Sequence, residues 1–245
     1  MALIQRPVHE KDRGAVRSEV GHAGNLGRRE AQITVNIQIY EYGDPTSDRV
    51  LMQPVDDHDL SVIENEIAAI RERTDDFCLI AVKVNDWNRD LSPWEAPPVF
   101  GKEPFGDGAE AFLESLLPLC TDKSKTYYLG GYSLAGLFAL WAAHETDAFY
   151  GIAAASPSMW FPGFLDFMQA HEIRAKRVYL SLGDREEKTR NPVMATVGTR
   201  IKEASDLLQS RGTDCVLEWN PGNHFKDPDL RTARAFLWVL GETDK

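Results

Sequence analysis

The chain has 245 residues, of which 43% are hydrophobic and 27% charged, the balance of a soluble globular protein rather than a disordered chain, a collagen-like repeat or a small disulfide scaffold. Lys and Arg total 27 against 38 Asp and Glu, a formal net charge of −11, so the surface repels phosphate backbones, and no polybasic run offers itself to nucleic acid or an anionic membrane. Three widely spaced cysteines, Cys78, Cys120 and Cys215, include no CxxC pair, which argues against a disulfide framework or a zinc site and fits a reducing compartment.

The N-terminus has no apolar run of the kind a secretory signal needs, and no stretch is long and apolar enough to span a bilayer, so the expected location is the cytoplasm. No internal repeat or low-complexity linker divides the chain, which reads as one domain. Residues 1–32 are polar and weakly patterned and read as a terminal arm or edge strand. From there a regular alternation begins. Ile33–Tyr40 alternates apolar and polar residues like a half-buried strand, and Arg49–Val55 is a short β-type run. Ser61–Arg73 has helical spacing, with Ser61 and Glu64 as a capping box. Phe77–Val84 is nearly continuous in apolar residues, as in a strand buried on both faces. Asp107–Cys120 reads as a helix, Thr126–Leu129 as a strand, and Leu134–His144, apolar all round, as a buried helix. Strands then follow at Gly151–Ala155, Arg177–Leu182 and Cys215–Trp219. Helices are expected at Gly163–His171, Val193–Arg211 and Asp229–Leu240. This order predicts a mostly parallel sheet with helices on both faces, whose ligands bind beyond the carboxyl ends of the strands.

Chemistry-bearing residues should therefore follow strands closely. In YYLGGYSLAGLFALWAA, Ser133 sits between a strand and a buried helix, the setting that gives a G-x-S-x-G-like motif its meaning. The sharp turn demands small residues on either side, here Gly131 and Ala135. It exposes the Ser133 hydroxyl as a nucleophile, and the Leu134 amide, at the positive end of the new helix, becomes an oxyanion donor. A serine needs a base to take its proton. His9 and His22 lie in the arm, His144 and His171 fall at helix ends and read as surface or capping residues, and His58 lies in an acidic run. His224 alone follows the last strand, in a loop, Asn220–Asn223, that lets it reach back to Ser133. The third member should follow Arg177–Leu182, where Asp184, Glu186 and Glu187 compete. Glu186, three residues past Gly183, is the choice, and a dyad without an acid remains open. The order Ser133, Glu186, His224 is that of α/β hydrolases. A second oxyanion donor is expected from the amide of Val55 or Asp56. The acidic run Asp56-Asp57-His58-Asp59 sits awkwardly beside a developing negative charge. It is read as a solvated turn ahead of a helix rather than as a metal site.

Several stretches together resemble the putative-esterase family of α/β hydrolases, which includes enterochelin-type siderophore esterases, feruloyl esterases, S-formylglutathione hydrolase and mycolyltransferases. GGYSLAG resembles the family's nucleophile elbow, with Ala135 where glycine is commoner. AVKVNDWNRDLSPW, GDGAEAFLESLLPL, AAASPSMWF and PGNHF resemble its arginine-bearing segment, the helix before the elbow, its Ser-Pro-Ser-x-Trp run and its histidine loop. These cover roughly residues 33–240. The resemblance implies an α/β-hydrolase fold with no large lid domain and a serine esterase or acyltransferase with Ser133, His224 and, less firmly, Glu186 as its triad. It also implies that Arg89 contacts substrate, the alternative being an ion pair with Asp86 or Asp90. Trp87, Trp94, Trp160 and Phe161 are candidates for an aromatic pocket wall or for plain core.

The expected reaction is hydrolysis of a small or medium soluble ester through an acyl-enzyme, with no cofactor and no metal. Acyl transfer to another alcohol and a retired hydrolase acting as a binding module are the alternatives. Asp86, Asp90, Glu95 and the acidic run suggest a preference for neutral or cationic esters.

Overall fold

The computed structural model describes residues 37–242. The arm expected at 1–32, with His9 and His22, lies outside the described residues, as does the start of the first expected strand. Among the described residues seven strands form one sheet: β1 (Ile39–Gly43), β2 (Arg49–Val55), β3 (Cys78–Lys83), β4 (Thr126–Tyr132), β5 (Gly151–Ala155), β6 (Arg177–Gly183) and β7 (Asp214–Asn220). Their order is β1-β3-β2-β4-β5-β6-β7. Only β1 runs antiparallel, against β3.

Helices cover both faces, and this explains the apolar runs. Along β2, Leu51 and Val55 point to the side packed by α1 (Asp57–Arg71) and α7 (Pro228–Leu240), while Val50 and Met52 point to the other side. That second side is packed by α3 (Ala109–Leu116), α4 (Leu134–Glu145), α5 (Phe164–Ala170) and α6 (Val197–Ser210). A strand with two dry faces has no polar phase to alternate with. Helix α4 runs against the sheet with Leu134 to His144 all buried, matching its lack of an amphipathic pattern.

The chain moves from β2 outward to β3 and then returns to add β4 on the opposite side of β2. This is a topological switch, and it leaves a crevice at the carboxyl ends of β2 and β4. Pro54 lies beside it, paired with Val82 of β3. The last β2–β4 pair is Met52 with Leu129, so the missing Pro54 N–H breaks no bond to β4.

Several expected boundaries moved, each for a local reason. The helix expected at Ser61 begins at Asp57, because Asp56 and Asp59, not Ser61 and Glu64, make the capping box. Asp107–Cys120 divides into α3 and a 3-10 turn at Leu117–Cys120, where Pro118 interrupts the α-helical ladder. Val193–Arg211 likewise opens with a 3-10 turn before α6. A short helix that the pattern did not announce, α2 (Trp87–Asp90), is capped by the Asp86 carboxylate accepting from Arg89 N–H at 3.1 Å. Among the described residues the longest passage between strands runs from Val84 to Lys125 and carries α2 and α3. No helix among them is long and apolar enough to cross a membrane.

Candidate active site

Ser133 stands between the end of β4 and the start of α4 with φ 57° and ψ −117°. A non-glycine residue pays strain in this region, and the surroundings hold it there. Its N–H donates to Ala155 O at 3.1 Å, and its carbonyl accepts from Ser158 N–H and Leu137 N–H, both at 3.1 Å. The need for small neighbours is steric: a Cβ at Gly131 would lie 2.7 Å from the Ala135 Cβ. Alanine fits at 135 because 131 is glycine. The Leu134 amide precedes the first intrahelical bond of α4, so it is free to face a ligand.

Three expected residues meet here. His224 Nε2 lies 3.0 Å from Ser133 Oγ, and His224 Nδ1 lies 2.7 Å from Glu186 Oε2. Glu186 is drawn from its turn by Gly183, whose N–H donates to Glu186 Oε1 at 2.7 Å. A side chain at 183 would collide with Gly222 O at 2.5 Å, so the glycine also lets the histidine loop approach. Of the competing acids, Asp184 accepts from Gly222 N–H at 2.8 Å and ties the two loops together, while Glu187 rests against Gly198 on α6.

Burial acts to raise the Glu186 pKa, but the His224 hydrogen bond and charge, the Gly183 amide and the Ser156 hydroxyl outweigh it and leave the pKa below the usual carboxylate range. An ionised carboxylate only accepts hydrogen bonds. Nδ1 therefore carries the imidazole proton, and Nε2 presents its lone pair to the Ser133 hydroxyl. The arrangement can take a proton from Ser133 and hold the resulting imidazolium.

The residues expected to supply the second oxyanion donor behave differently. The Asp56 N–H donates to Asp59 Oδ2 at 3.1 Å, inside the capping box. Val55 pairs with Lys83, and its carbonyl accepts from Val84 N–H at 2.9 Å, which places it within the parallel ladder. Neither amide is free, because α1 starts directly after β2 and leaves no loop. The same fact gives the carboxylates of the acidic run local partners. The Asp56 and Asp59 carboxylates accept each other's amides, and Asp57 pairs with Lys83 at 2.6 Å. A donor outside this segment does approach Ser133: Ser158, 1% exposed, shares a hydrogen bond between its Oγ and Ser133 Oγ at 3.2 Å.

Arg89 realises the ion-pair alternative. Its Nε donates to Asp90 at 2.8 Å within the same short helix. Its Cγ would lie 2.7 Å from a Cβ at Gly106, which is why a glycine passes over it. Asp90 is thus paired with Arg89, while Asp86 caps the helix through the Arg89 amide. Trp87 is half-buried against the core. Trp160 is 6% exposed and packs edge-on against Phe100, which is 49% exposed, at 5.8 Å. Trp94 packs edge-on against buried Phe161 at 5.7 Å and donates to Pro162 O, so these two belong to the core. His144, read as a surface or capping residue, is 4% exposed, and burial lowers its pKa to about 4. His171 is exposed, as expected.

Residues that sequence reasoning missed surround the three. Tyr132 O–H donates to His224 O at 2.8 Å, and burial foremost pushes its pKa up to about 12, so it keeps its proton. Ser156, at φ 43°, donates from Oγ to Glu186 Oε1 at 2.8 Å. Arg231, 3% exposed on α7, donates to Glu186 Oε1 at 3.0 Å. Ser156 and Ser158 lay within a run that carried the resemblance. The signal for Arg231 was a charge set among the core positions Thr232, Ala233 and Ala235.

Protein-family models and curated proteins yield no match to this sequence. Solved structures do. The siderophore hydrolase EstA from Aspergillus nidulans superposes with a TM-score of 0.61 at 19% identity, over 85% of this chain and 91% of that one. An IroE-like serine hydrolase from Shewanella oneidensis gives 0.63 at 14% identity, over 81% and 73%. The enterobactin esterase FES from Shigella flexneri gives 0.58 at 14% identity, over 83% of this chain and 55% of that longer one. At these identities the likeness is one of fold, and the fold is that of an α/β hydrolase.

Proposed function

We propose that this protein is a serine carboxylic-ester hydrolase that works through an acyl-enzyme on a small or medium soluble ester. The observation that carries the proposal is the continuous chain Ser133 Oγ, His224 and Glu186, with contacts of 3.0 and 2.7 Å at the crevice of the sheet. The esterase and hydrolase activities of the neighbours that share the fold agree with it.

Ser133 Oγ attacks the ester carbonyl carbon as its proton passes to His224 Nε2. The carbonyl π electrons move onto oxygen, and the tetrahedral oxyanion faces the Leu134 amide at the start of α4. The Ser158 hydroxyl, close to Ser133 Oγ, is placed to share that charge, the role first expected of Val55 or Asp56. Glu186 stabilises the imidazolium through Nδ1–H. The C–O bond to the leaving alcohol breaks as Nε2–H protonates it. Water, deprotonated by His224, then attacks the acyl carbon, and Ser133 recovers its proton. The three free thiols fit a reducing, cytoplasmic setting.

Labelling with a fluorophosphonate probe tests the proposal, comparing wild type with Ser133→Ala. Labelling of wild type alone supports it, and a screen of short-chain, feruloyl and trilactone esters follows. If folded wild type goes unlabelled, Ser133 is not activated and a binding role on a hydrolase fold takes its place.

A further inference from the structure

We propose that Arg231 is a positioning residue, a buried clamp that holds the acid Glu186 and the loop carrying His224 in register with Ser133. The inference rests on the esterase reading above and adds to it a residue that touches neither substrate nor the reacting atoms.

A guanidinium withdrawn from water is costly unless nearly every N–H finds an acceptor. Arg231 finds five. One terminal nitrogen, Nη1, donates to Glu186 Oε1 at 3.0 Å, Tyr132 Oη at 3.1 Å and Ser156 Oγ at 3.3 Å. The other, Nη2, donates to the backbone carbonyls of Asn223 at 3.1 Å and Pro221 at 3.2 Å. One edge of the planar fork therefore grips the acid side, and the other grips the residue just before His224. A lysine ammonium supplies three donors from a single point and cannot bridge both.

The histidine loop is fixed chiefly by hydrogen bonds, and Arg231 supplies two of them. Phe225 is 86% exposed and Gly222 half-buried, and the ring contact of His224 is with Tyr132 at 5.0 Å. Its backbone ties to the body are Asp184 with Gly222 N–H, Arg185 N–H with Gly222 O at 3.1 Å, Tyr132 with His224 O, and the two carbonyls held by Arg231. Tyr132 is itself held by Arg231. A base that must sit 3.0 Å from its serine needs a rigid mount, since a displacement of about 1 Å costs about 100-fold in rate. Charge adds to geometry. The groups facing the imidazole and its acid are Glu186 from the turn after β6, Tyr132 from β4 and Arg231 from α7. Arg231 is the cation among them, and its ion pair at 3.0 Å offsets the Glu186 charge.

The test is the fluorophosphonate labelling rate as a function of pH for wild type, Arg231→Lys and Arg231→Ala, the last with and without added guanidinium ion, with thermal melts as the fold control. Expected for Arg231→Ala is a loss of about 100-fold, partial recovery with guanidinium, and an acid limb moved to higher pH, because an uncompensated Glu186 draws a proton to the imidazole. Expected for Arg231→Lys is a loss of about 10-fold with the acid limb near wild type, since charge is kept and the fork is lost. A folded Arg231→Ala protein that labels at the wild-type rate with an unmoved acid limb overturns the clamp. So does a loss that guanidinium does not relieve. If Arg231→Ala does not fold, Arg231→Lys decides, and wild-type labelling by it overturns the clamp. Failure of wild type to label would instead remove the esterase reading itself, so the two failures are distinguishable.

Discussion

Replacing Glu186 by glutamine keeps the shape of the side chain and removes its charge. The structure dictates how the amide must sit. Oε1 accepts from three donors: Gly183 N–H at 2.7 Å, Ser156 O–H at 2.8 Å and Arg231 Nη1 at 3.0 Å. Only the amide oxygen can occupy that place, because an NH2 there would face three donors. The NH2 must therefore take the Oε2 position, 2.7 Å from His224 Nδ1. It donates, so Nδ1 has to accept, and the imidazole proton moves to Nε2. Nε2–H cannot take a proton from Ser133. Locking a base in the wrong tautomer costs about 10⁴-fold in kcat where an acid-to-amide change has been made in a serine protease triad, equivalent to about 5.4 kcal/mol in barrier height. The assay is turnover of an activated aryl ester together with the fluorophosphonate labelling rate, and Glu186→Ala is the comparison, since it leaves the imidazole free to choose its tautomer. Glu186→Gln is expected to be the slower of the two. A folded Glu186→Gln protein within about 10-fold of wild type, well short of that loss, would refute the tautomer argument and leave Ser133 and His224 as a dyad.

Two further substitutions probe the loop after β5 and the start of α1. Ser158→Ala removes the hydroxyl that touches Ser133 Oγ, and a lost oxyanion donor typically raises the barrier by about 2.7–4 kcal/mol. Unchanged kcat in a folded variant would leave the Leu134 amide without Ser158 as its partner. Asp59 has its pKa pushed up to about 6, chiefly by burial. A carboxyl raised in this way binds its proton more tightly folded than unfolded. Its contribution to stability is present below the ordinary carboxylate range and is lost as pH rises through about 6. Asp59→Asn keeps an acceptor for the Asp56 amide and does not ionise, so its melting temperature should exceed wild type at neutral pH and converge with it in acid. A pH-independent difference would rule out ionisation of Asp59 as the cause.

The sequence determined the sheet and its two coats of helices, because a strand buried on both faces must read as a continuous apolar run, as in β3 and β5. It also determined Ser133, since a glycine, a serine and an alanine between a strand and an apolar helix leave the turn few alternatives. His224 and an acid among Asp184, Glu186 and Glu187 were candidates from chain order, each just beyond a strand end, and the structure shows that Glu186 is the one that meets His224. The boundary at Asp56 was misplaced because a capping box is chosen by where the strand stops, and two candidate boxes stood five residues apart. That local choice decided that Val55 and Asp56 have no amide to offer. Ser158 and Arg231 were out of reach for a different reason. Ser158 is 25 residues from Ser133, and Arg231 is 45 from Glu186. Nothing periodic links such residues, and the contacts exist only once β4, β5 and β6 lie side by side and α7 folds back across them. Periodicity reports which face of an element is dry. Which polar side chain is carried into the dry interior to meet another is decided by the crossing of elements distant in the chain, and only the tertiary structure holds that information.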